Sequence, residues 1–254
     1  MKCELVVPCF NEEKRLDRKA FVDLARAPDL TLQFVDDGSK DGTLRVLREL
    51  EAAQPDRISV LPIQKNGGKG EAVRHGMLAG LAHGAAIVGY ADADLSTPTH
   101  ELLRLRDRAV EPGSPSVIVG SRVLVMGTQI ERRLSRHLLG RVFATFAANI
   151  VQMPFYDTQC GAKFFRDTPA LRVALARSFM SRWAFDIELL GRLRIGTPEV
   201  LGLPESEFRE LPLERWVDVP DSKLRFSGMA RTLAELPLIG LELSRMRQAA
   251  AKRS

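Results

Sequence analysis

The sequence predicts an α/β protein in which a mostly parallel β-sheet is flanked by helices. Short apolar runs alternate with amphipathic stretches through the first half of the chain, which is typical of right-handed βαβ units. The second half is less regular, so we expect a C-terminal third that closes over one edge of the sheet. At 254 residues, 45% of them hydrophobic, the chain can bury one large core.

Each element of the first half follows from its own stretch of sequence. Apolar runs predict strands at 4–8, 31–36, 58–62, 86–91 and 116–120, and amphipathic stretches predict helices at 12–27, 43–53, 69–82 and 99–110. Two helix starts carry additional signals. Asp41-Gly42-Thr43 offers capping groups, and Thr97-Pro98 combines an N-cap with a proline in the first turn.

The second half is predicted in coarser terms. We expect a long amphipathic helix over 129–152, strands at 158–166 and 207–217, and a helix near 185–195. The segment 231–254 is predicted to be a final helix that ends in basic residues. The chain is therefore expected to form one main domain, 1–226, followed by a basic helical tail, 227–254.

Composition excludes several classes of function. The net charge of +5 suits an anionic ligand or an anionic membrane surface, but no aromatic residues are interleaved with Lys and Arg, so nucleic-acid binding is not expected. Three cysteines without a CxxC pair predict reduced thiols in a cytoplasmic protein. We expect no signal peptide, and the longest uncharged run, 142–156, is shorter than the roughly 20 apolar residues of a spanning helix. Any contact with a membrane is therefore expected to be peripheral, on its cytoplasmic face.

Polar residues cluster at the predicted carboxyl ends of all five strands, where ligands bind in open parallel sheets. One such cluster alone is typical of a surface turn, but five on the same edge indicate a binding site. In chain order the clusters contain Pro8, Asn11 and Glu12; Asp36 and Asp37; Lys69 between two glycines; Asp92-Ala93-Asp94; and Gly120-Ser121-Arg122.

The chemistry of these clusters suits a nucleoside diphosphate and a divalent metal. Asp36 and Asp37 can accept hydrogen bonds from a base edge or from ribose hydroxyls. Lys69 lies in a loop with few side chains, where its amine and backbone N–H groups can approach anionic oxygens. Asp92 and Asp94 present hard carboxylate oxygens that suit Mg²⁺ or Mn²⁺. The lysine loop does not match the nucleotide-binding P-loop pattern and follows the third strand, which argues against a P-loop nucleotidase.

The motifs resemble those of family 2 glycosyltransferases, which have a Rossmann-like fold called GT-A. The first half carries Val7-Pro8-x-x-Asn11-Glu12, Val35-Asp36-Asp37-Gly38-Ser39, Asn66-x-Gly68-Lys69-Gly70 and Asp92-Ala93-Asp94 in the family's order. The second half carries Asp157-Thr158-Gln159-Cys160-Gly161-x-Lys163 and Arg182-Trp183-x-Phe185-Asp186, which are similar to motifs of the polyprenyl- and dolichyl-phosphate β-glucosyltransferases. The likeness covers residues 4–226, and we expect no counterpart of the membrane anchor that those relatives carry.

The resemblance implies an inverting, metal-dependent enzyme that moves a hexose from a nucleotide-sugar, glucose from UDP-glucose in the first instance, to a polyprenyl-phosphate lipid. Asp92 and Asp94 would bind Mg²⁺ or Mn²⁺. The expected nucleotide-sugar contacts are Pro8, Asn11, Glu12, Asp36, Asp37, Lys69 and Asp92. The expected contacts of the acceptor phosphate are Arg122, Arg132, Arg136 and Lys223, and the expected catalytic residues near the sugar are Asp157, Asp186 and Arg122.

The nature of the acceptor stays open at the level of sequence. A lipid phosphate is already ionised and needs cations to position it, whereas a lipid or saccharide hydroxyl needs a carboxylate to take its proton. Arg122 would serve the first acceptor, and Asp157 or Asp186 would serve the second. The motifs favour the phosphate. A nucleotidyltransferase is disfavoured, because that class usually places a glycine-rich basic loop directly after the first strand.

The predicted helix over 129–152 also has two interpretations. Leu134 and Leu138 fall on one side, while Arg132, Arg136 and His137 gather on the other. A basic amphipathic helix of this kind is typical of a segment that lies on a membrane surface. It is equally typical of a helix that packs on a core and exposes a basic face. Under the first interpretation we expect the helix to lie on a membrane surface. A membrane-anchored partner protein could supply this attachment instead.

Overall fold

The computed structural model describes residues 1–131, 134–217 and 226–252, with side chains placed at 1–130, 143–217 and 233–252. Its strands are β1 (Cys3–Cys9), β2 (Leu30–Asp37), β3 (Ile58–Ile63), β4 (Ile87–Ala91), β5 (Val117–Ser121), β6 (Gln129–Glu131), β7 (Ala162–Arg166), β8 (Phe208–Pro212) and β9 (Arg215–Val217). Its α-helices are α1 (Arg18–Ala25), α2 (Thr43–Ala53), α3 (Lys69–Ala82), α4 (Thr99–Val110), α5 (Leu134–Val151), α6 (Pro169–Ala176), α7 (Phe185–Ile195) and α8 (Phe226–Ala251).

Seven of these strands form one sheet in the order β3-β2-β1-β4-β7-β5-β8, and β6 pairs with β9 in a small second sheet. β7 runs antiparallel to both of its neighbours, and every other pair in the large sheet is parallel. The predicted mostly parallel sheet is therefore confirmed. The antiparallel β7 is important for the site, because it lies between β4 and β5 and joins their two strand ends.

Helices cover both faces of the sheet, as the alternation of the sequence predicts. α1, α2 and α4 bury their apolar sides in one core, and α3, α5, α6, α7 and α8 bury theirs in the other. α8 packs on the same domain, because its Leu236, Ile239 and Leu243 lie in the second core. Gly191 of α7 permits a close approach there, since a Cβ at this position would lie 2.3 Å from Leu243 Cδ1.

Three predicted helices, 43–53, 69–82 and 99–110, agree with α2, α3 and α4 residue for residue. The first helix is shorter than predicted and begins at Arg18, after the Asp17 side chain accepts a hydrogen bond from the backbone N–H of Ala20. The residues before it form a loop in which Asn11 has a φ of 52°. That left-handed backbone does not continue a helix.

Three predictions in the second half were wrong in their boundaries. The strand predicted over 158–166 is limited to β7, Ala162–Arg166. The predicted helix over 129–152 is instead β6 followed by α5, because 129–131 pair with β9. The predicted strand over 207–217 divides into β8 and β9 and pairs with two different strands. α6 was not predicted, although Thr168-Pro169 carries an N-cap signal, and Thr168 Oγ1 accepts a hydrogen bond of 3.1 Å from the N–H of Leu171.

Candidate active site

The polar clusters meet at the carboxyl edge of the parallel strands, where hydrogen bonds join the first cluster to the second. The N–H of Asn11 donates to Ser39 Oγ over 2.9 Å, and Asn11 Oδ1 accepts from the N–H of Lys40 over 2.8 Å. The N–H of Glu12 donates to Thr43 Oγ1 over 2.7 Å. The loops after β1 and β2 thus form one rigid wall of the site, next to Pro8 at the end of β1.

The second cluster also holds the lysine loop in place. The two carboxylate oxygens of Asp37 accept hydrogen bonds of 2.8 Å from the N–H groups of Gly67 and Gly68. Burial raises the pKa of Asp37, against the effect of these two hydrogen bonds. Gly68 has a φ of 94°, a conformation that favours glycine, and it lets the chain turn directly into α3 at Lys69. Asp37 therefore positions Lys69, whereas its contact with a donor stays a prediction.

Asp36 is buried beside this loop, and its Oδ1 accepts a long hydrogen bond of 3.4 Å from the N–H of Ser39. Arg182, which follows α6, reaches the lysine loop from the other side of the site. Its guanidinium donates to the backbone oxygens of Asn66 (2.7 Å) and Gly67 (3.1 Å). The C-terminal third of the chain thus closes over the lysine loop, as expected from the sequence.

Asp92 and Asp94 follow β4 in a tight turn in which Leu95 has a φ of 50°. Asp92 Oδ1 lies 2.5 Å from Lys69 Nζ, so the predicted metal ligand and the predicted diphosphate ligand form an ion pair. Burial alone would lower the pKa of Lys69, but Asp92 and nearby carboxylates outweigh it, and the pKa is raised. Lys69 therefore stays cationic at neutral pH.

Asp94 is oriented by its own turn and by a residue that the sequence reasoning missed. Its Oδ1 accepts from the N–H (3.0 Å) and the hydroxyl (2.8 Å) of Ser96. Its Oδ2 lies 3.4 Å from Arg15 Nη2. Arg15 comes from the loop after β1 and had no sequence signal beyond its charge.

Two carboxylates at this point suit a hard divalent cation but supply only part of its oxygen shell. Among the residues that the structure describes, no group of three or more His, Cys, Asp or Glu side chains could hold a metal ion. The residues present therefore fit a metal that takes its remaining ligands from a diphosphate and water. Gly161, the residue directly before β7, is required for this position of Asp92, because a Cβ at 161 would lie 2.0 Å from Asp92 Oδ2.

Arg122, directly after β5, forms a bidentate ion pair with Asp157. Nε lies 2.6 Å from Asp157 Oδ2 and Nη2 lies 2.8 Å from Oδ1. The guanidinium also lies over the ring of Trp216, 5.4 Å from its centroid. Burial alone would lower the pKa of Arg122, but the Asp157 carboxylate outweighs it and the pKa is raised. Glu210 fixes this pair from β8 by accepting a hydrogen bond of 2.7 Å from the N–H of Asp157.

Asp186, in the first turn of α7, is held by two residues whose roles the sequence did not reveal. Its Oδ1 accepts hydrogen bonds from Lys163 Nζ (2.5 Å) and from the hydroxyl of Tyr90. Lys163 and Tyr90 are fully buried, and Asp186 is 3% exposed. Burial raises the pKa of the Tyr90 hydroxyl well above its usual value, and the Asp186 charge adds to the shift. Tyr90 was predicted only as part of a strand, and Lys163 only as part of a strand and as a member of the motif at 157–163.

Three of the predicted acceptor contacts fall outside the described part of the chain. Arg132 and Lys223 lie in the gaps, and Arg136 belongs to α5, but its side chain is outside the described residues. Of the four predicted contacts only Arg122 has a described side chain, and its contact with an acceptor stays a prediction. No helix in the described ranges is both long and apolar enough to cross a membrane.

Sequence comparison shows which known proteins this chain is similar to. A profile of the family described as Glycosyl transferase family 2 matches residues 4–171. The dolichyl-phosphate beta-glucosyltransferase of Drosophila melanogaster is 34% identical over 239 residues, which span 88% of this chain and 69% of that protein. The enzyme of that name from Dictyostelium discoideum is 29% identical, over 87% of this chain and 68% of its own. Polyprenol monophosphomannose synthase of Mycolicibacterium smegmatis is also 29% identical, over 74% and 70%.

Solved structures share the fold at lower sequence identity. Glucosyl-3-phosphoglycerate synthase from Mycobacterium tuberculosis, in complex with Mn²⁺, UDP-glucose and glycerol 3-phosphate, superposes with a TM-score of 0.64 at 18% identity and covers 94% of this chain and 79% of that one. Its complex with Mg²⁺ and UDP gives a TM-score of 0.63 at 17% identity, with the same coverage. At this identity the likeness concerns the fold, and the predicted fold class is confirmed.

Proposed function

The chain belongs to glycosyl transferase family 2 and is a glycosyltransferase, and from this premise we propose that it transfers a hexose from a nucleotide-sugar to the phosphate of a polyprenyl lipid. Glucose from UDP-glucose is the proposed donor group, because relatives named dolichyl-phosphate beta-glucosyltransferase match over most of the chain. The relative named polyprenol monophosphomannose synthase makes mannose the alternative hexose.

The choice of a phosphate acceptor rests on one observation: both candidate bases are already bound to cations. Asp157 has both carboxylate oxygens on the guanidinium of Arg122, and Asp186 has Oδ1 on Lys163 and Tyr90. The lone pairs that accept these charge-assisted hydrogen bonds, on both oxygens of Asp157 and on Oδ1 of Asp186, are not available to take a proton from a hydroxyl acceptor, which supports a phosphate acceptor. A lipid phosphate is ionised at neutral pH and reacts without a base.

Arg122 can serve this phosphate without leaving Asp157. A guanidinium has five N–H donors, and the bidentate pair uses only those of Nε and one from Nη2. Nη1 and the remaining Nη2 hydrogen stay available for phosphate oxygens. Asp157 and the ring of Trp216 then fix the orientation of the guanidinium, so that its free edge is presented in one direction.

The donor is bound on the other side of the site. Lys69 exchanges its contact with Asp92 for the diphosphate, which frees the Asp92 carboxylate. Asp92 and Asp94 would then hold a divalent cation, Mg²⁺ or Mn²⁺, which when bound neutralises charge on the diphosphate. Lys69 stabilises the same developing charge from a loop that Asp37 has already ordered.

The proposed reaction is one displacement at the anomeric carbon. A phosphate oxygen of the acceptor forms the new bond, while the bond from the anomeric carbon to the diphosphate breaks and its electron pair leaves with the diphosphate. No proton is transferred, so the reaction does not require a carboxylate to act as a base. The products are UDP and a polyprenyl hexosyl phosphate, in which the anomeric carbon of the hexose has the inverted configuration.

Product formation with defined lipids tests the proposal. Purified protein is incubated with labelled UDP-glucose, Mn²⁺ or Mg²⁺, and either a polyprenyl phosphate or the matching polyprenol. We expect labelled lipid and an equal amount of UDP with the phosphate alone, and loss of both in Asp94→Ala. Asp107→Ala, at an exposed carboxylate on the outside of α4, is the matched control. Transfer of label to the polyprenol would show that the acceptor group is a hydroxyl and would contradict the proposal.

A lipid acceptor requires contact with a membrane surface, and the loop after Arg122 offers apolar side chains for it. Leu124, Val125 and Met126 are exposed, and Met126 is fully so. We expect the double substitution Leu124→Ser with Met126→Ser to reduce sedimentation with anionic vesicles, while UDP binding is unchanged. Equal sedimentation of this variant and the original protein would remove the loop from the proposed membrane contact.

A further inference from the structure

A cleft lies between the C-terminal ends of α5, α7 and α8, and it is separate from the active site. Its volume is about 230 Å³, and its lining consists of Gln152, Arg194, Ile195, Arg247 and Ala250. α7 begins beside the active site at Phe185 and has 11 residues, so at about 1.5 Å per residue its other end lies roughly 16 Å away. A ligand in this cleft therefore does not touch the donor or acceptor site.

The charged members of the lining are two arginines without an acidic partner. Arg194 and Arg247 are both half-buried. Neither forms an ion pair with a carboxylate in the part of the chain that the structure describes, whereas Arg192 of the same α7 pairs with Glu188 over 2.5 Å. Burial lowers the pKa of Arg247, and the charge of Arg194 lowers it further. An anion between the two guanidinium groups would replace this repulsion by attraction to both.

Capping of helix ends explains only part of this arrangement. Arginines near a helix C-terminus often donate to its last carbonyl groups. Arg247 Nη2 donates to the backbone oxygen of Ile150 in the last turn of α5, and Arg194 Nη1 donates to that of Leu203 over a long 3.4 Å. A guanidinium has five N–H donors, so one such contact for each arginine leaves most of its donors for a ligand.

Gln152 adds a polar side chain to the cleft from a strained position. Its φ of 59° lies in the left-handed region, which is costly for a residue other than glycine or asparagine. The turn ends α5, and the N–H of Met153 donates to the backbone oxygen of Ala148 over 3.2 Å. Strain of this kind is often retained at binding sites, and the amide of Gln152 can donate hydrogen bonds to an anion beside the arginines.

We propose that this cleft binds a phosphoryl group, with Arg194 and Arg247 as its charged ligands and Gln152 as a further hydrogen-bond donor. Planar guanidinium groups match the geometry of phosphate oxygens, and two of them supply both charge and direction. The phosphoryl group belongs either to a small molecule in solution or to a lipid headgroup, and both have the same chemistry. The site adds to the proposed function and does not depend on it.

Calorimetric titration with inorganic phosphate tests the proposal, with sodium chloride at equal ionic strength as the reference. We expect Arg194→Gln to bind phosphate at least about tenfold more weakly than the unmodified protein. This variant keeps Arg247 and its contact with Ile150, so the junction of α5 and α8 is preserved. Arg245→Gln is the matched control, because it removes an equal charge from the exposed surface of α8. Phosphate should raise the melting temperature of the unmodified protein and of Arg245→Gln, but not that of Arg194→Gln.

Vesicles distinguish the two sources of the phosphoryl group. Phosphatidylcholine vesicles with phosphatidic acid present it as a headgroup, and vesicles of phosphatidylcholine alone do not. Sedimentation with the first kind that Arg194→Gln loses and Arg245→Gln keeps, without binding of inorganic phosphate, assigns a lipid. Arg194-dependent binding of inorganic phosphate assigns a soluble ligand. The proposal is wrong if the two arginine variants give the same result in both assays, or if Lys69→Met abolishes phosphate binding, which would place the anion at the donor site.

Discussion

Lys69→Met perturbs the contact on which the donor side of the mechanism depends. In the structure Lys69 Nζ is 2.5 Å from Asp92 Oδ1, so the lysine covers an oxygen of one of the two proposed metal ligands. A metal that binds alone must compete with Lys69, and a diphosphate that binds alone must compete with Asp92. When the metal and the diphosphate bind together, Asp92 binds the metal and Lys69 binds the diphosphate, so neither ligand has to displace a partner without replacing it. Metal and nucleotide should therefore bind synergistically, and Lys69→Met should reduce the synergy.

The structure sets the size of the effect. The side chains of Lys69 and Asp92 are 19% and 36% exposed, so solvent screens the pair and its contribution is about 1 kcal/mol. Removing the lysine should then strengthen the binding of Mn²⁺ alone by roughly fivefold. The same change removes a charge-assisted hydrogen bond to the diphosphate, which contributes about 2 kcal/mol, so UDP binding in saturating Mn²⁺ should weaken by roughly thirtyfold.

Calorimetric titration of Mn²⁺ alone, and of UDP with Mn²⁺ present, measures both effects in the same preparation. Lys19→Met is the control, because it removes a lysine of equal charge whose ion pair with Asp23 is on the exposed surface of α1. We expect this variant to behave like the unmodified protein in both titrations. Weaker or unchanged binding of Mn²⁺ alone to Lys69→Met would refute the competition between lysine and metal.

Three further predictions follow from single contacts. Arg122→Lys cannot pair with Asp157 bidentately, and turnover with polyprenyl phosphate should fall at least about thirtyfold while UDP binding stays within about twofold. Gly161→Ala places a Cβ against Asp92, and Mn²⁺-dependent UDP binding should weaken by roughly tenfold without unfolding. Burial raises the pKa of Cys160 to about 11 from 9.0, so the stability given by its protonated thiol is complete below pH 9 and is lost as the pH rises to 11. Urea unfolding at pH 8, 9.5 and 11 should show that loss, and Cys160→Ala should reduce it.

Each of these predictions has a result that contradicts it. Equal losses of UDP binding and turnover in Arg122→Lys would place Arg122 on the donor rather than on the acceptor. Unchanged nucleotide binding in Gly161→Ala would mean that Asp92 can move without consequence. An identical dependence of stability on pH in Cys160→Ala would assign the alkaline loss to other groups.

The sequence predicted the elements whose signals are local. α2 and α3 begin directly after Gly42 and Gly68, and α4 begins at Thr99 after Pro98, so the predicted cap at Thr97 was wrong although the predicted bounds of the helix were right. The clusters at Asp37, Lys69, Asp92 and Arg122 were also expected to meet, because the carboxyl ends of parallel strands share one edge of a sheet. These inferences need only the chain order and the handedness of βαβ units.

Predictions failed where strand pairing depends on distant residues. The segment 129–131 has an amphipathic pattern that suits a helix, but it pairs with 215–217 and becomes a strand. The hydrogen-bonding groups of a short segment can be satisfied in either form, so only the presence of the distant partner decides between them. The predicted strand over 207–217 divides into β8 and β9 for the same reason, because each part pairs with a different distant strand.

The same distinction holds at the active site. The types of chemical group that the proposal uses were evident from the sequence alone: two neighbouring acids, a lysine between glycines, and an arginine after β5. Only the tertiary structure decided their states, because a carboxylate is a base or an ion-pair partner according to what lies within about 3 Å of it. Asp157 and Asp186 stay predicted catalytic residues, and the structure adds that Arg122, Lys163 and Tyr90 are hydrogen-bonded to them. These partners lie 23 to 96 residues away in the sequence, a separation at which residue pattern carries no information about contact.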